Sequence, residues 1–201
     1  ISIIGAGGHT RSSINLIKEV YKNSVLSIYD DSFDMHNEEV IHKVKIRGTI
    51  KSIEESSSIF LSIGDNDKRA LYFNKYKNQL LEENFYHSSV ILEKNIFIGS
   101  SNQVFANVYI NSYVTIGNNN IINTAAILEH EVIIGNHNHI SVGSKICGRT
   151  RVGNNCMIGA GSVLIDSISI CDNVVIGAGS VVTNDITERG TYVGVPARKI
   201  K

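Results

Sequence analysis

The segment LEHEVIIGNHNHISVGSKICGRTRVGNNCMI, residues 128–158, carries an aliphatic side chain at every sixth position. The same spacing continues without a break through Ile98, Val104, Ile110, Ile116, Ile122, Leu128, Ile134, Ile140, Ile146, Val152, Ile158, Leu164, Ile170, Ile176 and Val182. Neither an α-helix nor an ordinary strand keeps one face apolar at a strict period of six. A coil of three short strands does, if each strand points one aliphatic residue inward and ends in a turn. The spacing is therefore typical of a hexapeptide-repeat parallel β-helix.

Two weaker patterns accompany the aliphatic series. Four residues after most of its members the side chain is small or β-branched, as at Val108 and Ala126, which suits a crowded corner. A glycine often follows the aliphatic residue, as at Gly117 and Gly135, with asparagines close by. Because Gly and Asn tolerate left-handed backbone, we expect these positions to form the turns. Three hexapeptides make one coil, so residues 98–182 predict about five stacked coils.

The first part of the chain has a different pattern. Short apolar strands are predicted at residues 1–4, 25–29 and 59–63. One helix is predicted between the first two strands, through Ser13 to Val20, and another over residues 68–83. Strands that alternate with helices indicate a small parallel α/β sheet. The loop Gly5-Ala6-Gly7-Gly8-His9 follows the first strand and precedes a helix, which is where phosphate sites form. Thr10 replaces the third glycine of the dinucleotide fingerprint, so a tight turn without a ligand is the alternative.

Composition excludes several classes of protein. The net charge is zero and the pI is about 7.2, so nothing favours binding to nucleic acid or to an anionic membrane. No apolar run is long enough for a membrane span. The three cysteines are Cys147, Cys156 and Cys171, an odd number without C-x-x-C spacing. We interpret them as reduced packing residues of a cytoplasmic protein, with a patch of reactive thiols as the alternative.

Six motifs together resemble one known family. They are G-A-G-G-H at 5–9, D-D at 30–31, I-G-D-N at 63–66, I-L-E-H-E at 127–131, G-N-H-N-H-I-S-V-G at 135–143 and Y-V-G-V-P-A at 192–197. This set is similar to the bacterial sugar acyltransferases of the left-handed β-helix superfamily. Within it, the resemblance is closest to UDP-4-amino-4,6-dideoxy-sugar N-acetyltransferases, and sialic acid and legionaminic acid O-acetyltransferases are near relatives.

The resemblance implies a domain organisation and an assembly. Residues 1–84 would form a Rossmann-like nucleotide-sugar-binding domain. Residues 85–201 would form a left-handed β-helix acyltransferase domain with a C-terminal cap. The protein would be a cytoplasmic homotrimer in bacterial glycan biosynthesis, with acetyl-CoA as co-substrate and a nucleotide-activated amino sugar as acceptor.

His130 is the candidate general base. A sugar amine that attacks a thioester must lose a proton, and histidine suits this role because it titrates near neutral pH. Glu129 and Glu131 flank His130. From the residues alone, a solvated histidine in a polar turn remains open; the resemblance implies that His130 is the base and that Glu131 orients its ring.

The resemblance also assigns the acetyl-CoA site. It implies His139 near the thioester or the sugar, a surface histidine being the alternative. It further implies backbone N–H donors at Gly148 and Ala178, and contact of the segment around Pro196 with the adenine end of CoA. A zinc site from His130, His137 and His139 would need three converging imidazoles. Their spacing does not match the carbonic anhydrases on this scaffold, so no metal is expected.

For the nucleotide, the resemblance implies eight residues of the first domain: Gly7, Gly8, His9, Asp30, Asp31, Ile63, Gly64 and Asp65. An acidic residue after the second strand can accept hydrogen bonds from ribose hydroxyls or from a base N–H. Several relatives have Asn where this chain has Asp65. A second carboxylate there would repel a pyrophosphate unless it contacts the uracil edge, and Arg69 could balance its charge.

Two classes of function follow. The first is an acetyl-CoA-dependent N-acetyltransferase that acts on a UDP-4-amino-4,6-dideoxy sugar by direct transfer, with O-acetylation of a sialic-type or legionaminic-type sugar as the variant. The second is a non-catalytic trimeric module that binds a nucleotide. His130 discriminates between them, because a binding module has no need of a base.

Overall fold

The computed structural model describes residues 1–34 and 39–200. The chain divides into two compact units, Ile1–Glu83 and Asn84–Lys201, and each is described by itself. In the described part of the chain, no helix is both long enough and apolar enough to cross a membrane.

The first unit is a five-stranded sheet with helices. Its elements are β1 (Ser2–Ile4), α1 (Gly8–Val20), β2 (Ser27–Tyr29), β3 (Val40–Ile41), β4 (Val44–Gly48), a 3₁₀ turn (Ile50–Ser52), β5 (Ile59–Leu61) and α2 (Asn66–Lys75). The strand order is β3-β4-β2-β1-β5, and only the β3–β4 pair is antiparallel. The three residues of β1 are all buried, as expected for an inner strand of a parallel sheet. The edge strand β5 is also buried, and its residues Ile59 and Leu61 pack in a core cluster against which Leu80 packs.

One prediction for this unit was wrong in detail, and one element was not predicted. The second helix begins at Asn66 and ends at Lys75 rather than running over 68–83. The chain turns back after Tyr76 because Leu80 pairs with Ile59 and packs in the core beside β5. The β3–β4 hairpin was not predicted, since its turn residues His42 and Lys43 take positive φ without being Gly or Asn.

The second unit is the predicted parallel β-helix. Its strands are β6 (Phe85–Tyr86), β7 (Ile91–Leu92), β8 (Phe97–Ile98), β9 (Gln103–Val104), β10 (Tyr109–Ile110), β11 (Thr115–Ile116), β12 (Ile121–Ile122), β13 (Ile127–Leu128), β14 (Ile133–Ile134), β15 (His139–Ile140), β16 (Lys145–Ile146), β17 (Arg151–Val152), β18 (Met157–Ile158), β19 (Val163–Leu164), β20 (Ser169–Ile170), β21 (Val174–Ile176), β22 (Val181–Val182), β23 (Gly190–Val193) and β24 (Arg198–Lys199). They form three sheets, one for each side of the coil. The only antiparallel pair among them is the final β23–β24 hairpin.

The coils stack in a strict register. Ile110 pairs with Leu128, Leu128 pairs with Ile146, and Ile146 pairs with Leu164, so residues eighteen apart lie above one another. The aliphatic residue of each strand points into one continuous core, which confirms the prediction from the spacing of six. The pattern also begins earlier than predicted, with β6 and β7 at Tyr86 and Leu92.

The turn residues differ from the expectation. Positive φ occurs at every sixth residue from Asn95 to Gly179, three residues after the aliphatic position, and includes Glu131 and His137. The glycines that directly follow the aliphatic residues have another role. A Cβ on Gly117 would lie 2.7 Å from the carbonyl oxygen of Gly135, so glycine is needed there because the next coil approaches closely.

One column of asparagines likewise serves packing rather than turn geometry. Asn102, Asn120 and Asn138 are buried, eighteen residues apart. Asn120 donates to the Gly135 carbonyl and to Asn102 Oδ1, and its own Oδ1 accepts from the Asn138 N–H. These amides join successive coils and satisfy buried polar groups of the backbone.

Candidate functional site

The first unit contains a cavity of about 620 Å³ at the carboxyl ends of β1, β2 and β5. All eight residues predicted to bind the nucleotide line it: Gly7, Gly8, His9, Asp30, Asp31, Ile63, Gly64 and Asp65. Ligands of open α/β sheets bind at this edge. Other residues that line the cavity were not predicted from the sequence, among them Ile50, Lys68, Leu71 and Tyr72. Lys68 is the cationic residue among them, and its place in the first turn of α2 could have indicated it.

The glycine loop is held tightly at the start of α1. Gly5 has φ +111°, and a Cβ there would lie 2.5 Å from the Ser62 carbonyl oxygen. Thr10, which replaces the third glycine of the fingerprint, is buried, and its hydroxyl donates to the Gly5 carbonyl at 2.8 Å. No side chain caps α1 at Gly7. The first amides of the helix therefore face the cavity as an N-terminus that attracts anions.

Asp30 organises this loop. Its Oδ2 accepts from the Ala6 N–H at 2.8 Å, and its Oδ1 accepts from the N–H and the hydroxyl of Ser32 at 2.9 and 2.6 Å. Burial alone would raise the pKa of Asp30, but these hydrogen bonds lower it below its ordinary value. Asp31 lies beside it, with Oδ1 accepting from the Ile50 N–H at 3.2 Å. Tyr72 faces Asp31, which together with burial raises the pKa of the phenol.

Asp65 lines the cavity and also has a structural role. It is the N-cap of α2, and its Oδ1 accepts from the Lys68 N–H at 2.8 Å. Arg69 is fully buried behind the loop and donates to the carbonyls of Ile63 and Gly64 at 3.1 and 3.2 Å. Burial lowers the pKa of Arg69 to about 9, and the charge of Asp65 opposes that change. The carboxylate therefore starts a helix, and the guanidinium shapes the loop.

In the second unit, His130 and Glu131 form the corner after β13. Nδ1 of His130 lies 3.1 Å from Oε2 of Glu131, and the two side chains are 44% and 55% exposed. The positive φ of Glu131 belongs to the regular turn pattern and is not peculiar to this corner. Oε2 of the neighbouring Glu129 is held by Asn111 Nδ2 at 2.7 Å. The contact that the resemblance implied between His130 and Glu131 is thus present.

Gly148 lies one coil beyond His130. A Cβ on Gly148 would lie 2.5 Å from Cε1 and 2.7 Å from Nε2 of His130, so the ring occupies space that only glycine leaves open. The Gly148 N–H has no acceptor among the described residues, and the same holds for the Ala178 N–H. Both amides that the resemblance assigned to acetyl-CoA are therefore available as donors.

The other predicted acetyl-CoA residues lie apart from this corner along the coil. His139 is on β15, and its Nε2 lies 3.2 Å from Asn123 Nδ2. Pro196 follows a cis peptide bond in the turn between β23 and β24. Lys199, at the end of that hairpin, is paired with Glu188 at 2.9 Å.

Two further features bear on chemistry. Within residues 1–34 and 39–200, no group of three or more His, Cys, Asp or Glu side chains is arranged to hold a metal ion. The three cysteines are free thiols. Burial, together with the charges of Glu129 and Asp166, raises the pKa of Cys147, and burial raises that of Cys156 to about 11. Neither of these two thiols is activated as a nucleophile.

Comparisons with known proteins agree with both units. Residues 1–76 match the family model of the PglD N-terminal domain, and residues 149–184 match the hexapeptide repeat of succinyl-transferase. Both matches agree with the left-handed β-helix acyltransferases that the motifs resemble. The two-part fold that the motifs predicted is confirmed.

Solved structures resemble this chain over nearly its whole length. PerB from Caulobacter crescentus, solved with CoA and GDP-perosamine, is 27% identical with a TM-score of 0.89, and the match covers 100% of this chain and 96% of PerB. The acetyltransferase domain of PglB from Neisseria gonorrhoeae FA1090 is 24% identical with a TM-score of 0.91, over 99% and 98% of the two chains. No curated protein sequence matches the chain.

Proposed function

We propose that this acyltransferase transfers an acetyl group from acetyl-CoA to the amine of a nucleotide-activated 4-amino-4,6-dideoxy sugar, with His130 as general base. The observation that carries the proposal is the corner at His130. Its Nδ1 faces Glu131, its Nε2 has no partner among the described residues, and the ring lies over an amide at Gly148 that lacks an acceptor. A base, an orienting carboxylate and an oxyanion donor are the groups that acyl transfer requires.

The roles follow from this arrangement. Glu131 holds the imidazole so that Nε2 accepts a proton from the attacking amine. The Gly148 N–H donates to the thioester oxygen as it becomes an oxyanion, and the Ala178 N–H donates to the pantetheine arm. His139 contacts acetyl-CoA or the sugar. Transfer is direct, because the raised pKa values of Cys147 and Cys156 leave these thiols protonated at neutral pH.

The acceptor is bound through the cavity of the first unit. The start of α1 and Lys68 supply a site for the diphosphate, and Asp31 and Tyr72 supply polar groups for the nucleoside. The complex of PerB with CoA and GDP-perosamine supports a nucleotide amino sugar as the acceptor class. We propose UDP as the nucleotide, as the resemblance of the sequence motifs implies.

The assembly is proposed to be a cytoplasmic homotrimer. A β-helix has flat sides that can pack around a threefold axis, which is a closed symmetry. Light scattering of the purified protein at micromolar concentration should give three times the monomer mass. A protein that stays monomeric at that concentration would contradict the proposed trimer.

A substrate panel tests the proposed reaction. The protein is incubated with acetyl-CoA and, separately, a UDP-4-amino-4,6-dideoxy sugar, GDP-perosamine and free sialic acid, and products are identified by mass spectrometry. We expect an added acetyl group on the UDP-amino sugar. Acetylation of GDP-perosamine alone would identify GDP rather than UDP as the nucleotide. Acetylation of sialic acid alone would identify the protein as an O-acetyltransferase. The absence of a product with every acceptor would favour a binding module.

A further inference from the structure

A second carboxylate faces the open edge of His130. The position that a Cβ on Gly148 would occupy is 2.7 Å from His130 Nε2 and 2.9 Å from Asp166 Oδ1. Asp166 follows Gly148 by one coil, as Gly148 follows His130. Two acceptors from different coils therefore border the same small space above a residue that has no side chain.

The carboxylate is fixed in this position by its other oxygen. Asp166 Oδ2 accepts from Arg149 Nη2 at 2.5 Å and from the Ser167 hydroxyl at 2.8 Å, and Arg149 Nε donates to the same hydroxyl at 3.0 Å. These hydrogen bonds from Ser167 and Arg149 lower the pKa of Asp166 below its ordinary value. Oδ1 has no hydrogen-bond partner among the described residues. The side chain is thus an oriented anion with one available oxygen.

Two convergent acceptors select a nucleophile that has more than one hydrogen to donate. A hydroxyl has a single O–H. If that hydrogen is donated to His130 Nε2, Asp166 Oδ1 loses its hydrogen bond to water and gains no other donor, which is unfavourable. An ammonium or amine has enough N–H groups for both acceptors, and its hydrogen bond to the carboxylate is charge-assisted. The pair therefore fits an amino group better than a hydroxyl.

We propose that Asp166 binds the attacking nitrogen of the acceptor sugar and makes this protein selective for amines over hydroxyls. The proposal rests on the proposed acetyl transfer and names a residue that the sequence motifs do not include. The surrounding charged and titratable groups are Glu129, Glu131 and Cys147 near the ring, and Arg149, which is bound to the far oxygen of Asp166.

The hydrogens of the reaction balance in this arrangement. The acceptor enters as R–NH₃⁺ and loses one proton to solvent. The nitrogen lone pair then forms the C–N bond at the thioester carbon while His130 Nε2 takes the second proton. The C–S bond breaks, and the imidazolium gives that proton to the CoA sulfur. The third hydrogen stays on nitrogen as the amide N–H, donating to Asp166 Oδ1 throughout.

The test compares an amine with its hydroxyl counterpart. Binding of the accepted nucleotide 4-amino sugar and of the same nucleotide sugar with a 4-hydroxyl is measured by calorimetry at pH 7 in wild type and in Asp166→Asn. We expect wild type to bind the amine at least about tenfold more tightly, the usual scale of one charge-assisted hydrogen bond at a partly exposed site. Asp166→Asn should lose most of that preference, raise the KM for the amino sugar and leave the affinity for acetyl-CoA unchanged.

Glu129→Gln is the matched control. It removes a negative charge from the same corner, but Glu129 is held by Asn111, so the preference for the amine should stay within about twofold of wild type. Asp166→Ser repeats the test should Asp166→Asn fold poorly. An unchanged preference in a folded Asp166 variant that still acetylates would overturn the role of Asp166. Absence of turnover by wild type on every acceptor would instead overturn the proposed function, and the inference with it.

Discussion

The imidazole of His130 lies over Gly148, the residue one coil further along the chain, and it can do so only because Gly148 has no side chain. Parallel coils in strict register bring together residues eighteen apart in sequence. The repeat therefore brings three residues together: His130, Gly148 and Asp166.

Gly148→Ala should reduce turnover with little effect on stability. The new methyl group would press on His130 Cε1 and Nε2, and the exposed ring can move away without disturbing the core. A displacement of about 1 Å from the reacting atoms can lower kcat about 10²-fold. The free energy of unfolding should change by less than about 1 kcal/mol. Steady-state kinetics and denaturant unfolding give the two values.

A double variant supplies the control for this prediction. In a His130→Ala background the ring is absent, so the part of the loss that Gly148→Ala causes by displacing the ring should disappear. Equal losses in both backgrounds would mean that the methyl group acts by filling the space beside Asp166 Oδ1 or on acetyl-CoA rather than through His130.

Asp65 is expected to matter for stability more than for the nucleotide. Asp65→Ala removes the side chain that caps α2 and should lower the free energy of unfolding by about 1 kcal/mol. Asp65→Asn keeps an acceptor for the Lys68 N–H, so it should fold and bind the nucleotide about as well as wild type. Chemical denaturation and calorimetry with the nucleotide test both. A large loss of affinity in a stable Asp65→Asn would show that the carboxylate contacts the nucleotide.

Arg69 should be required for the shape of the nucleotide loop. Arg69→Met leaves the carbonyls of Ile63 and Gly64 without their donor in a buried place, at about 1–3 kcal/mol for an unsatisfied group. We expect the affinity for the nucleotide to fall at least about tenfold, with acetyl-CoA binding unchanged. Lys77→Met removes an exposed cation just after the same helix and should change neither affinity. Equal affinities in the two variants would refute the role of Arg69.

The cysteines should not carry the acetyl group. Because the pKa of Cys147 is raised and that of Cys156 is raised to about 11, the neutral thiols predominate at pH 7, and the thiolate fraction grows only as the pH rises. Incubation with acetyl-CoA alone should add no mass to the protein at pH 7. Native Cys156 should resist iodoacetamide at pH 8. A stoichiometric acetyl adduct on a cysteine would contradict direct transfer.

The sequence predicts the scaffold better than it predicts the site. A period of six is a global signal, so the coil and its core follow from residues such as Ile110 and Leu128 alone. The roles of particular glycines do not follow, because Gly117 and Gly148 are needed for contacts eighteen residues away rather than for their own φ. Counting coils from His130 would have led to Asp166, but nothing in its local sequence marks it.

The sequence likewise predicts only some of the residues that line the cavity of the first unit. The glycine loop and Asp30 are visible as a motif at the end of a strand. Lys68 and Tyr72 lie on a helix that Asp65 caps, and the sequence motifs indicate only the expected nucleotide contact of Asp65. An Asp followed by a helix is an N-terminal signal that local reasoning could have used.

The most direct test of the account is the turnover of His130→Ala on the accepted amino sugar. With acetyl-CoA and nucleotide-sugar affinities shown to match wild type, kcat should fall by about 10²–10⁴, the usual contribution of a positioned general base. The kcat of Glu131→Gln should fall less, because Glu131 only orients the imidazole ring. Near-normal kcat in a correctly folded His130→Ala would contradict the account, because the histidine would then be a surface residue and not the base.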